Sequence, residues 1–161
     1  LPFDDVIVWD NSVRQDLKVF GRYQAIEEAK HSIIYTQDDD CIVDALSVVK
    51  FHEAGRVVCN MPAKKREEYQ TLAPKVGLVG WGACFDRELV KVLDRYLEKF
   101  SIDDLFLREC DRVFTQLNAL KFVDVRVLNT PSAYFSNRMG NQPGHLRDLA
   151  EITKRVSSLT Q

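Results

Sequence analysis

Ile33-Ile34-Tyr35-Thr36-Gln37-Asp38-Asp39-Asp40 decides how this chain is read. The first four residues, with Ser32 before them, form an apolar and largely β-branched run, and the polar residues stop it, which predicts a buried strand with an acidic tip. Upstream, Val6-Ile7-Val8-Trp9 ends at Asp10-Asn11-Ser12 and reads as another buried strand followed by a loop. Between the two, Tyr23, Ile26 and Ala29 recur at helical spacing after Gly21, predicting a helix over 22–31. Downstream, Ile42, Ala45, Leu46 and Val49 mark a helix closed by Gly55, and Arg56-Val57-Val58-Cys59-Asn60 is a third strand. Strands alternating with helices predict an α/β, Rossmann-like domain with a mostly parallel central sheet. The ligand crevice of such a sheet lies at the carboxyl ends of its strands. Asp10-Asn11 and the Asp triplet would both face it.

The remainder of the chain extends this pattern. Residues 62–75, with Pro62, Lys64, Lys65, Arg66, Glu67, Glu68 and Pro74, read as a polar, mobile excursion whose basic run is either a solvated face or a lid. Val76-Gly77-Leu78-Val79-Gly80-Trp81-Gly82-Ala83 is apolar and punctuated by glycine. Leu89, Leu93, Leu97 and Phe100 form one helical stripe, and Phe106, Cys110, Val113, Phe114 and Leu117 another. Val123, Val125 and Val127 alternate with Asp124 and Arg126 as in a half-buried strand. Residues 129–144 are loop-rich, and Leu149, Ile152, Val156 and Leu159 predict a final helix.

At 161 residues the chain suggests one domain, spanning 1–161. Lys plus Arg number 22 against 24 Asp plus Glu, so the basic excess of a nucleic-acid binder is missing. Hydrophobic residues make up 45% and charged residues 29%, a globular composition. No apolar run approaches the length of a membrane span, and the first residues do not read as a signal peptide, so the expected location is cytoplasmic. Cys41, Cys59, Cys84 and Cys110 are spaced by 18, 25 and 26 residues with no C-x-x-C pair, which argues against zinc and thioredoxin-type sites.

The triplet is the sharpest chemical feature. In an extended segment Asp38 and Asp40 point one way and Asp39 the other. Adjacent carboxylates repel one another, and a hard divalent cation relieves that repulsion. The bland alternative is an acidic loop that caps the next helix.

Together, Val6–Ser12 and Ile33–Asp40 resemble the GT-A nucleotide-sugar glycosyltransferases, most nearly the small or exostosin-like members. The resemblance covers about residues 6–146. It implies that Asp10 contacts the nucleotide base, with Asn11 and Arg22 beside it. It implies that the triplet serves as the D-x-D motif: Asp40 binds Mn²⁺ or Mg²⁺, Asp38 meets ribose or a metal-bound water, and Asp39 lies at the nucleotide. Gly80-Trp81-Gly82-Ala83 matches the segment that contacts donor sugar and acceptor, its alternative being a tight turn with a core Trp. His145 matches the C-terminal metal-ligand His, and Arg138 in the same loop would neutralise diphosphate. Ser101-Ile102-Asp103-Asp104 sits where the family opens a helix with an acidic pair, so Asp104, with Asp103 in reserve, would deprotonate the acceptor hydroxyl if the reaction inverts the anomeric centre, and would have another role in a retaining enzyme. Ser-x-x-Asp is also a helix capping box.

The implied reaction moves a sugar from a nucleoside diphosphate sugar, UDP first by family frequency, to a hydroxyl-bearing acceptor. The family opens with a further strand and helix before the Asp10-type strand, so either the sheet is reduced or that unit lies outside this sequence. Two other readings stand beside it: a nucleotidyltransferase, and a nucleotide- or sugar-binding module without turnover.

Overall fold

A computed structural model describes residues 3–72, 75–129 and 144–160. Its centre is a four-stranded sheet in the order β1-β4-β3-β5, built from Ile33–Thr36 (β1), Arg56–Asn60 (β3), Ala83–Asp86 (β4) and Ala119–Val123 (β5). A separate antiparallel pair joins Cys41–Val43 (β2) to Val127–Asn129 (β6). The helices are Gly21–Ile26 (α1), Ala45–Val49 (α2), Ala63–Leu72 (α3), Val92–Leu97 (α4), Asp104–Leu117 (α5) and His145–Ser157 (α6).

The sheet is mixed, which corrects the expectation of a mostly parallel one. β4 runs antiparallel to both β1 and β3, while β3 and β5 are parallel. β1, β3 and β5 therefore share one direction, with β4 reversed among them. The turn Val79–Trp81 delivers the chain into β4, a strand concealed by the run it follows, which Gly80 and Gly82 punctuate. Because three strands still point one way, their carboxyl ends crowd one edge, where Asp38, Met61 and Asp124 follow.

Other expectations also change. Val6–Trp9 is extended but pairs with no strand, and Val6 and Val8 are 56% and 72% exposed. A β-prone run becomes a strand only where a partner edge meets it, and here a groove separates it from β1. The helix expected over 22–31 stops at Ile26, where i→i−3 bonds take over at Glu28 and Ala29. Ile42 sits in β2, and its helix starts later because Asp44 caps it, accepting from the Ser47 backbone N–H. The polar segment 62–75 contains helix α3. The alternating run at 123–127 splits between β5 and β6.

The stripe on α5 is where periodicity placed it, whereas the one expected from Leu89 to Phe100 is helical only over Val92–Leu97, with Leu89 in a preceding 3-10 turn and Phe100 beyond the helix end, and Leu159 lies past the end of α6. Phe106, Cys110, Val113 and Phe114 of α5 are fully buried against the sheet face that carries Val57, Cys59, Ala83 and Phe85. Phe85–Phe114 and Tyr23–Phe114 ring centroids lie 4.8 and 5.2 Å apart, the spacing of favourable aromatic pairs. Val48 of α2 covers Val58 and Cys84 on the opposite face, as strand alternation requires. No helix among the described residues is long and apolar enough to cross a membrane.

Candidate functional site

Asp38 leaves β1 and is pinned by its backbone, whose N–H donates to the Gly80 carbonyl at 2.8 Å. Its side chain then lies directly over Gly80: a Cβ built there would stand 2.0 Å from Asp38 Oδ2. Only glycine permits that approach. From α1, Arg22 Nη2 donates to Asp38 Oδ1 at 2.6 Å, while Arg22 Nε lies 3.6 Å from Asp111 Oδ1 on α5. The Tyr23 hydroxyl donates to Asp111 at 2.8 Å. Arg22 thus bridges two carboxylates. Burial pulls its pKa down, but Asp111 and Asp38 more than offset that and hold it charged. Burial pushes the Asp111 carboxyl above its ordinary value and Asp38 adds to the push, against the pull of Arg22.

On either side of Asp111 in α5 lies a second charged group. Arg112 Nε is 3.4 Å from Glu109 Oε2, and His145 Nδ1 is 3.2 Å from Glu109 Oε1. Glu109 and Arg112 are 3% and 6% exposed, rare values for such residues unless paired. His145 opens α6, and Arg108 fastens that turn to α5 through Asp148 at 2.9 Å. Arg22 Nε and Nη1, Arg112 Nη1 and Glu109 Oε1 are buried without a hydrogen-bond partner. Among the described residues Glu109 Oε1 has only the approach of His145 Nδ1, which lacks hydrogen-bond geometry. Groups left in this way call for a ligand or ordered water.

These residues wall a cavity of about 160 Å³ between α5, the start of α6 and the Leu78–Trp81 turn. A larger groove of about 1370 Å³ runs between the extended Phe3–Asn11 segment and β1. Val19, Arg22 and Asp38 line both, so the Arg22–Asp38 pair stands at their junction.

Most expected site residues fall on these walls. Asp10, Asn11, Arg22, Asp38 and Asp39 line the groove. Asp10 is occupied locally: it accepts from Ser12 N at 2.8 Å and the Ser12 hydroxyl at 2.6 Å, which holds its carboxyl low. Asn11 ties its segment down, accepting from Trp9 Nε1 and Leu17 N and donating to the Lys18 carbonyl, each at 3.1 Å. Trp81 and His145 line the cavity together with Asp38.

Others lie elsewhere. Asp40 lines neither hollow and accepts from the Cys41 thiol at 3.2 Å. Gly82 stands behind the wall at φ 101°, a backbone that excludes other residues, and its carbonyl accepts from Asn60 N at 2.8 Å. Asp103 is the N-cap of α5: it accepts from Phe106 N at 2.8 Å and pairs with Arg155 at 2.7 Å. Asp104, largely exposed, pairs with Arg108 and Lys18. The acidic pair therefore builds the helix start and reaches neither hollow, because the capping geometry turns it away. Arg138 lies outside the described residues.

Glu109, Asp111 and Arg112 were not singled out by sequence. Their signal was present: Arg108-Glu109-Cys110-Asp111-Arg112 sets charges on both sides of Cys110, inside an otherwise apolar stripe. Charges there must be buried or face a hollow.

Among the described residues, no three His, Cys, Asp or Glu side chains stand together as a metal cluster. A carboxylate and an imidazole, Asp38 and His145, do share the cavity wall. Each already has a partner, Asp38 with Arg22 and His145 with Glu109. No protein-family model, curated protein or solved structure matches the chain.

Proposed function

We propose that this chain is a glycosyltransferase that moves a sugar from a nucleoside diphosphate sugar to an acceptor hydroxyl. One observation carries the reading: a long groove and a small cavity meet at a buried arginine paired with the carboxylate at a strand tip. A nucleoside diphosphate sugar has the matching outline, with a large nucleoside, a doubly charged waist and a compact ring. The nucleoside would lie in the groove near Asp10, Asn11 and Asp39. The diphosphate would lie at Arg22, whose guanidinium lines both hollows and whose Nη1 has no hydrogen-bond partner. The sugar would enter the cavity over Trp81.

Asp38 and His145 are the residues that would hold a divalent cation arriving with the diphosphate, which would supply charge neutralisation for the leaving group. The base moves from Asp104 to Asp111, which lies across Arg22 from Asp38 and so beside the junction. In a transfer with inversion, the acceptor hydroxyl gives its proton to Asp111 as its oxygen bonds to the anomeric carbon. The bond from that carbon to the diphosphate breaks, and the diphosphate departs with the electron pair. A carboxyl raised by burial is a stronger base than an exposed one.

The test is nucleotide release from a panel of UDP- and GDP-sugars with Mn²⁺ and candidate acceptors. Free nucleoside diphosphate is expected, with the rate falling ~100-fold or more in Asp111→Asn. Pyrophosphate released from a triphosphate would mark a nucleotidyltransferase. Binding without release would mark a sensor.

A further inference from the structure

Tyr23 is a core residue with a polar atom that packing does not require. It is 2% exposed, and its ring centre lies 6.3 Å from that of Phe20 and 5.2 Å from that of Phe114. Phenylalanine would fill the same space and leave no hydroxyl to satisfy. The hydroxyl donates to Asp111 Oδ1 at 2.8 Å, its one hydrogen bond among the described residues. A buried phenol needs an acceptor, but a neutral carbonyl would serve. A carboxylate drawn out of water for that purpose alone would cost more than the phenol gains. The pair makes sense from the side of the carboxylate.

From that side the hold is one-sided. Both groups that α1 sends to Asp111 meet the same oxygen: the Tyr23 hydroxyl at 2.8 Å, and Arg22 Nε at 3.6 Å. The second distance is an ion pair but too long for a hydrogen bond. Arg22 also spends its Nη2 on Asp38 at 2.6 Å, so it cannot close on Asp111 without leaving that partner. The last torsion of an aspartate is soft and takes its setting from whatever its oxygens bond to. Here the tyrosine supplies that bond. Asp111 lines the small cavity, and with Oδ1 engaged by Tyr23 the oxygen left to offer there is Oδ2, which has no hydrogen bond among the described residues.

We infer that Tyr23 is the positioning residue for Asp111: by holding Oδ1 it sets the carboxylate so that Oδ2 receives the proton of the acceptor hydroxyl. Tyr23 keeps its own proton throughout, because Oδ1 still accepts once Oδ2 is protonated. This rests on the transferase reading, in which Asp111 is the base. It adds which oxygen acts and which side chain holds it.

The test is a double-variant cycle on nucleotide release, with Mn²⁺, candidate acceptors and UDP-glucose, UDP-galactose or GDP-mannose as donor. It compares the parent with Tyr23→Phe, Asp111→Asn and the two together. Tyr23→Phe deletes one oxygen and keeps the ring, so kcat should fall about tenfold or more while the donor KM stays within about twofold. In the Asp111→Asn background no carboxylate remains to be positioned, and the same change should take nothing further from the rate. A hydroxyl that serves only the core would lower the rate in both backgrounds alike. The inference is overturned if Tyr23→Phe leaves kcat unchanged or if the two losses multiply. It is also overturned if circular dichroism shows Tyr23→Phe unfolded, because the hydroxyl would then be needed by the core. An Asp111→Asn chain with the parent's rate would overturn the inference and leave sugar transfer standing with another base. No nucleotide release by the parent would overturn the inference and the transferase reading together.

Discussion

Gly80 is small because Asp38 occupies the place where its side chain would be. Alanine there would put a methyl group 2.0 Å from a carboxylate oxygen that Arg22 holds from the other side. Gly80→Ala should therefore cost about 1–3 kcal/mol, the range for overpacked sites, and should displace Asp38 from the junction. Urea melts measure the first effect and nucleotide titration the second; unchanged nucleotide affinity would show that Asp38 has no part in binding. The thiols make a simpler case. Burial raises Cys84 to about 12 and Cys59 further still, with Asp86 and Asp111 adding their repulsion. Thiolate, not thiol, is the nucleophile. Both cysteines should resist iodoacetamide in the native protein at neutral pH and react once urea unfolds it, as peptide mass mapping would show. At this scale the sequence was informative about Asp38, whose run of acids stood out, and less so about Asp111. A single acid inside a helical stripe looks like any surface charge until the helix is docked and its direction is known.

Elements were legible where the hydrophobic period was long. The stripe on α5 needed no structure to be seen, and Phe106, Cys110, Val113 and Phe114 are all fully buried. Two short strands were not: β4, whose four residues follow a run punctuated by Gly80 and Gly82, and β2, with three; β1 is as short as β4 but stands out as an unbroken apolar run. Ser101-Ile102-Asp103-Asp104 shows why the acidic pair was ambiguous. A carboxylate at a helix start suits catalysis and capping alike, and only the docking of α6 decides, because Arg155 from that helix takes the free oxygen of Asp103. Asp103→Ala should then destabilise the protein by about 0.5–2 kcal/mol, the usual loss of an N-cap, without removing nucleotide binding. Burial pushes the Asp103 carboxyl up, but the bonds from Arg155 and Phe106 N together hold it below its ordinary value of 3.8. A carboxyl lowered on folding stabilises above its unfolded pKa and loses that contribution as pH falls through the folded one. The gap in stability between parent and Asp103→Ala should be full above about pH 4 and close below it. Thermal melts from pH 3 to 7 measure it, and a gap that widens in acid would reverse the assignment.

For the whole molecule, direction and adjacency decide, and neither is written in local sequence. Strand runs predicted a sheet, but β4's reversal comes from the turn at Val79–Trp81. Bringing Asp38, Asp111 and His145 to one hollow took the packing of β1, α5 and α6 together. Under the transferase reading, that assembly constrains how a cation and a nucleotide would bind. Among the described residues no three metal-ligating side chains stand together, and Asp38 and His145 offer one ligand group each. Two protein groups would make a weak cation site, which phosphate oxygens would have to complete. Mn²⁺ alone should therefore leave the melting temperature nearly unchanged, and UDP alone should raise it little. Together they should raise it by several degrees: ligand at a hundred times its Kd stabilises by about 2.7 kcal/mol, worth roughly 5–10 °C in a chain of this size. By linkage the metal must tighten the nucleotide by the factor with which the nucleotide tightens the metal. Titrating each in the presence of the other measures both sides of that cycle. Asp38→Asn should abolish the coupling, and because it takes a charge from beside buried Arg22 it should also lower the baseline melting temperature, so the coupling is read against the variant's own baseline. If Mn²⁺ stabilises the protein fully by itself, the cation has a site of its own and the junction of the two hollows is not where it is held.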